Sequence, residues 1–161
     1  MYFGGDFVTV TKSRNRKRKG ERMIRKIPPE TSTYHFYNAN PADNRAADCV
    51  IRAISLSLGQ SWDITLDELV ELAHIHKLLP NERKCYEKLL ASKGFVKMPQ
   101  PRKANNKKYT GKQFCKTDTV RNNKVVVISI GGHHISVIVD GKINDIWDCS
   151  DSCIGNYWIK P

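Results

Sequence analysis

The feature that most constrains this chain is the dipeptide Asp140-Gly141, which stands between two apolar, β-branched-rich runs, His134 to Val139 and Lys142 to Trp147. Asp-Gly readily takes the two left-handed conformations of a two-residue hairpin turn, whose twist matches the strands on either side. Such a turn sets the register. Val139 falls opposite Lys142, Val137 opposite Asn144, Ser136 opposite Asp145 and His134 opposite Trp147. Side chains alternate along a strand, so His134, Ser136, Ile138, Ile143, Asp145 and Trp147 are predicted to share one face, with Asp145 diagonal to His134 and within hydrogen-bonding reach of its ring. His133, Asn144 and Asp148 fall on the other face.

Lys124 to Ile130 is a third buried β-branched run, so the last third of the chain reads as an antiparallel sheet. The first part has helical spacing instead. Val50, Ile51, Ala53, Ile54, Leu56 and Leu58 are apolar almost all round, which predicts a helix lying inside the domain, capped by Asp48 and ended by Gly59. Thr65-Leu66-Asp67-Glu68 has capping-box form and opens a second helix to about Lys77. Pro80-Asn81 starts a third, closed by Gly94. Thr110 to Gln113 caps a short helix around Phe114, after a basic loop over residues 97–112. Tyr34 to Tyr37 is an aromatic cluster placed to dock on the body. Helices first and sheet second give an α+β class.

A length of 161 residues suits one domain with an arm. The boundary is drawn at Ile27-Pro28-Pro29, giving an arm over residues 1–27, with a short strand at Asp6 to Thr11, and a body over 28–161. Residues 12–26 carry nine Lys or Arg against a single Glu, or +8 of the chain's +11. Arg14, Arg16, Lys17, Arg18, Lys19 and Arg22 lead this run. It suits nucleic acid phosphates or an acidic protein surface, and a solvated tail equally. No apolar run approaches the roughly 18 residues of a membrane span, and no secretory signal pattern opens the chain, so a cytoplasmic protein is expected. Five scattered cysteines then predict reduced thiols.

Cys49 opens the central helix, where the positive end of the backbone dipole favours a thiolate. A free cysteine is more often a small buried hydrophobe, and position alone does not decide. Cys49, His134 and Asp145 together make a nucleophile, a general base and the carboxylate that orients it. An oxyanion would be held by the Cys49 backbone N–H and a second donor from the preceding loop, for which Asn44 is the candidate. Arg52, one turn on, is placed to pair with Asp48 or another acid. The rival chemistry is zinc on Cys149-x3-Cys153 with His133 or His134, but the spacing is loose for a structural site. His74 and His76 lie on different helix faces. Gly131-Gly132 lacks what a phosphate loop requires. No metal and no cofactor are therefore expected.

With Cys, His and Asp in that order, "DCVIRAIS" on the helix and "GHHISVIVDGKINDIWDCS" on the strands, residues 38–160 resemble the papain-like cysteine peptidase superfamily, in particular its compact bacterial and phage-type members. The resemblance implies a helix bearing Cys49 packed on an antiparallel sheet bearing His134 and Asp145. It also implies hydrolysis of a peptide or isopeptide bond in a protein substrate, in a phage or mobile-element setting and, if phage-encoded, in the host cytoplasm. The family's glutamine ahead of the cysteine is absent, with Asn44 one residue nearer, and no CGSCW-like run follows Cys49. An inactive papain-like module gripping nucleic acid or an acidic partner through its basic arm is the alternative.

Overall fold

A computed structural model describes residues 27–161. The expected strand at Asp6 to Thr11 and the cations of residues 12–26, including Arg14, Arg16, Lys17, Arg18, Lys19 and Arg22, lie outside the described residues.

The β-branched runs form β3 (Val125–Ile130) and β4 (His134–Val139), paired antiparallel with Val127 opposite Val137. After the turn comes β5 (Lys142–Asp145), in the predicted register: Val139 pairs Lys142 and Val137 pairs Asn144. Asp140 and Gly141 both have positive φ, 48° and 79°, as a two-residue turn of this hand requires. β5 stops at Asp145, short of the expected Trp147.

Three further strands complete a six-stranded sheet in the order β1-β5-β4-β3-β6-β2. β1 (Tyr34–Phe36) lies parallel to β5, so the sheet is mixed rather than antiparallel throughout. The aromatic cluster thus docks as a strand. Tyr34 is fully buried, and its hydroxyl donates to the Asp145 carbonyl at 3.1 Å. β2 (Val96–Met98) and β6 (Ile154–Ile159) form the other side. β6 meets β3 across an irregularity between Ile128 and Ile130. Gly155 sits there because a Cβ would stand 2.3 Å from the Ser129 hydroxyl. That hydroxyl donates to the Asn156 carbonyl at 3.0 Å.

α1 (Cys49–Leu58), α2 (Trp62–His76) and α3 (Arg83–Ser92) cover one sheet face. Val50, Ile54, Leu69 and Leu90 form one cluster with Val127, Val137 and Trp158. Each fully buried side chain of this size contributes about 1.5–3 kcal/mol. On the other face Val126, Ile128, Ile138 and Ile143 pack with Phe114 and Tyr157, beneath the short α4 (Gly111–Phe114) and α5 (Asp118–Arg121). The architecture is α+β.

Three helix starts differ from expectation; α3 begins at Arg83 behind Glu82, past Pro80-Asn81. α2 begins at Trp62, three residues before Thr65, because Ser61 caps it by accepting from the Ile64 N–H at 3.2 Å. Thr65 is buried instead, its hydroxyl bonded to Ser55, Gln60 and the Ser61 carbonyl. Asp48 precedes α1 without a side-chain cap, since its carboxylate is engaged elsewhere. The basic stretch 97–112 is partly structured, by β2 and by an Arg102–Lys108 bridge. Among the described residues no helix is long and apolar enough to cross a membrane.

Candidate active site

At the end of the sheet where β4 begins and β5 ends, the N-terminus of α1 meets both strands. Cys49 is the first residue of α1 and is half-buried. The loop before it is pinned by side chains. Asp48, 5% exposed, accepts from Asn40 Nδ2 and from Trp62 Nε1, each at 2.9 Å, and pairs with Arg52. Burying a carboxylate is costly unless donors and a counter-charge offset it, here two donors on Oδ2 and the Arg52 guanidinium.

His134 opens β4, and its Nε2 lies 2.5 Å from Asp145 Oδ2. This is the diagonal contact that the hairpin register predicts. The second oxygen, Oδ1, accepts from the Ile146 N–H at 2.7 Å and lies 3.8 Å from Arg52 Nη2. Asp145 is 4% exposed and Arg52 6%. One guanidinium therefore stands between the carboxylate beside the thiol and the carboxylate behind the imidazole.

The thiol and the ring complement each other. Burial works to raise the Cys49 pKa, but hydrogen bonds from the His134 ring and the Ile135 backbone bring it below the ordinary 9.0. Burial likewise works against a charged His134, yet the hydrogen bond to Asp145, then those to Cys149 and Cys49, raise it to about 11. Both shifts favour a thiolate facing an imidazolium. With Nε2 on Asp145, Nδ1 is the nitrogen left for the thiol. A thiolate so placed can attack an electrophilic carbon, and the imidazolium can return a proton to the leaving group. Trp147 lies against the ring, 5.3 Å between centroids.

Asn44 is exposed on the loop before Cys49. Its Oδ1 accepts from Asn40 Nδ2 at 3.1 Å and from the Ala46 N–H at 3.2 Å. The structure thus brings Cys49, His134 and Asp145 together and holds Asn44 by the loop rather than by those three. His133 is exposed beside Gly131 and Gly132, whose positive φ values turn the chain into β4. Arg83 Nη2 ties this turn to α3 through the Gly132 carbonyl at 3.1 Å.

Three contributors escape the sequence reading. Asn40 and Trp62 hold Asp48, and only the crowding of asparagines at 38, 40 and 44 hints at the first. Cys149, read only as part of a loosely spaced zinc pair with Cys153, is buried with its Sγ 3.9 Å from Asp145 Oδ2. Burial, then the Asp145 charge, raises its pKa. Cys153 is exposed and pairs its backbone with Thr110. Comparison with family models, with curated proteins and with solved structures finds no match to the chain.

Proposed function

We propose that the chain is a small cysteine hydrolase of papain-like type that cleaves peptide or isopeptide bonds, with Cys49 as nucleophile, His134 as general base and then acid, and Asp145 as orienter. The reading is carried by one observation: the imidazole of His134, at the sheet end where Cys49 starts α1, has its Nε2 held 2.5 Å from the buried Asp145 carboxylate. The thiolate attacks the carbonyl carbon and the amine departs with the proton from His134. Water, activated by the same ring, then releases the acid. The Cys49 backbone N–H is one oxyanion donor in this scheme, and the Asn44 amide is the candidate for the second. The likeness of "DC-x-x-RA" and "H…DG…D-x-WD" to compact bacterial and phage members supports a protein substrate and a phage or mobile-element origin. Its setting is then the cytoplasm, that of the host if the gene is a phage's.

Iodoacetamide at neutral pH tests this. Cys49 should alkylate far faster than Cys85 or Cys115, and His134→Ala should slow it to their rate. Equal rates in the wild type would remove the activated thiol.

A second reading, an inactive binding module on the same scaffold, draws on the cations. From Arg102 to Lys116 there are six Lys or Arg and no acid. Lys103 lies 5.5 Å over the Tyr109 ring beside the Arg102–Lys108 bridge, and residues 12–26 would add to this charge. Salt-dependent binding to RNA or DNA that survives Cys49→Ala and fails without residues 12–26 would favour it.

A further inference from the structure

The His134–Asp145 pair has a third neighbour that hydrolysis does not use. Cys149, 1% exposed, comes from the loop after β5, and its sulfur, a His134 ring nitrogen and an Asp145 oxygen all lie within 4.8 Å of one another. Among the described residues this is the one group of three or more metal-ligating side chains so close together. An imidazole from the start of β4 converges with a carboxylate and a thiol that stand four residues apart at the end of β5 and in the loop after it.

We propose that His134, Asp145 and Cys149 form a zinc-binding site, and that an ion held there switches the Cys49 chemistry off. The donor set selects the metal. Nitrogen with sulfur suits zinc among the common divalent ions, whereas magnesium and calcium require oxygen alone. Zinc bonds of about 2.0–2.3 Å in a tetrahedron put the ligand atoms roughly 3.3–3.6 Å apart. The Cys149–Asp145 separation of 3.9 Å is close to that already, and His134 Nε2 must draw back about 1 Å from its 2.5 Å contact. His134 is the exposed edge of the group, its side chain 19% accessible, which makes its ring the ligand nearest solvent. Arg52 stays on the opposite oxygen of Asp145, clear of the ion.

Charge and protons balance. Cys149 gives its thiol proton to solvent and Nε2 gives up the proton it shares with Asp145, so a thiolate and a carboxylate neutralise the dication. The ring is then left with a proton at Nδ1 only and cannot become the imidazolium that pairs with the Cys49 thiolate. The metal site stands independently of the proposed function, but its effect as a switch rests on that reading. This arrangement differs from zinc simply capping the reactive thiol, because its sulfur ligand is Cys149.

Cobalt(II), added to the metal-free full chain, separates the two. The expected result is one equivalent bound, with a thiolate-to-cobalt absorption band that zinc displaces. The band should persist in Cys49→Ser and disappear in both Cys149→Ser and Cys149→Ala, whose folding is checked by circular dichroism. Asp145→Asn, which keeps the sulfur, should weaken cobalt binding at least tenfold. No stoichiometric binding, or a band lost in Cys49→Ser and kept in the Cys149 variants, would overturn the proposal. Zinc should also slow alkylation of Cys49 at least tenfold in the wild type, with the ratio of rates falling to one in Cys149→Ser. If the cobalt spectra are as expected while zinc leaves a fast Cys49 alkylation unchanged, the metal site holds and the switch is overturned; a Cys49 that alkylates no faster than Cys85 before zinc is added removes the hydrolase reading instead.

Discussion

Arg52 and Asp145 face each other at 3.8 Å across the junction of helix and sheet, and Arg52 reaches Asp48 with its other terminal nitrogen. Both acids are almost fully buried, so Arg52 is the counter-charge that lets two carboxylates persist beside the thiol. Replacing it by Met leaves Asp48 with only the neutral donors of Asn40 and Trp62, and Asp145 with the His134 ring as its one cation. The expected cost is about 3–5 kcal/mol of folding stability, read as a fall in the urea midpoint. Arg52→Lys keeps the charge but loses the fork, and should recover only part of it. If Arg52→Met unfolds at the wild-type midpoint, the guanidinium is not what balances the acids.

The opposite shifts of Cys49 and His134 predict a particular pH dependence of alkylation in chelator-treated protein. A thiol pKa below 9.0 means that the thiolate is present, and the rate already high, on the acid side of that value. The imidazolium persists until about pH 11, so the thiolate keeps its partner throughout the neutral range. In His134→Ala the desolvation of Cys49 is no longer opposed by the ring, and the onset must move to higher pH. An onset unchanged by that substitution would show that the ring does not govern the thiol.

Trp62→Phe preserves the ring packing and removes one hydrogen bond to the Asp48 carboxylate. Hydrogen bonds to buried charged groups contribute about 1.5–3 kcal/mol, so chemical denaturation should report a loss in that range. The loss should grow when Asn40→Ala is already present, because both donors serve the same oxygen, Oδ2, and the second removal leaves it with neither. Additive losses would separate the two contacts.

Gly111→Ala tests how closely α4 sits on the loop that carries Cys149. A Cβ there would lie 2.6 Å from Ile143 Cδ1 and 3.0 Å from both the Cα and the carbonyl oxygen of Ser150. Ile143 can rotate, but the backbone of Ser150 yields only if the loop moves. Overpacking of this kind costs about 1–3 kcal/mol, measurable as a lowered melting temperature. An unchanged melting temperature would mean that the loop gives way freely.

The parts of the site legible in the sequence are those set by local rules. Asp140-Gly141 imposes a turn, the turn imposes a register, and the register puts His134 and Asp145 on one diagonal, where they meet at 2.5 Å. α1 is legible because its apolar residues surround the axis. The rest depends on contacts between distant segments. β2 is three residues with a lysine at its centre, and β6 is interrupted by Gly155-Asn156, so neither carries a period-two signal. β1 is held by the Tyr34 hydroxyl on the Asp145 carbonyl, which no pattern around Tyr34 announces. Thr65 has the form of a helix cap and is instead a buried hydroxyl, because Ser61 lies one turn earlier with the same capacity. Cys149 enters through a loop, where spacing carries no geometry.

The hairpin turn lies five residues along β4 from His134, roughly 17 Å away, and touches nothing in the site. Yet its length governs whether a site exists. One residue added between Val139 and Lys142 without a compensating bulge would rotate every side chain of β5 to the other face, turning Asp145 away from the imidazole and bringing Asn144 round in its place. The least replaceable quantity in this molecule is therefore a number of residues rather than a side chain. A lineage could trade Asp145 for another hydrogen-bond acceptor and keep the architecture, but it could not lengthen the turn by one and keep the chemistry.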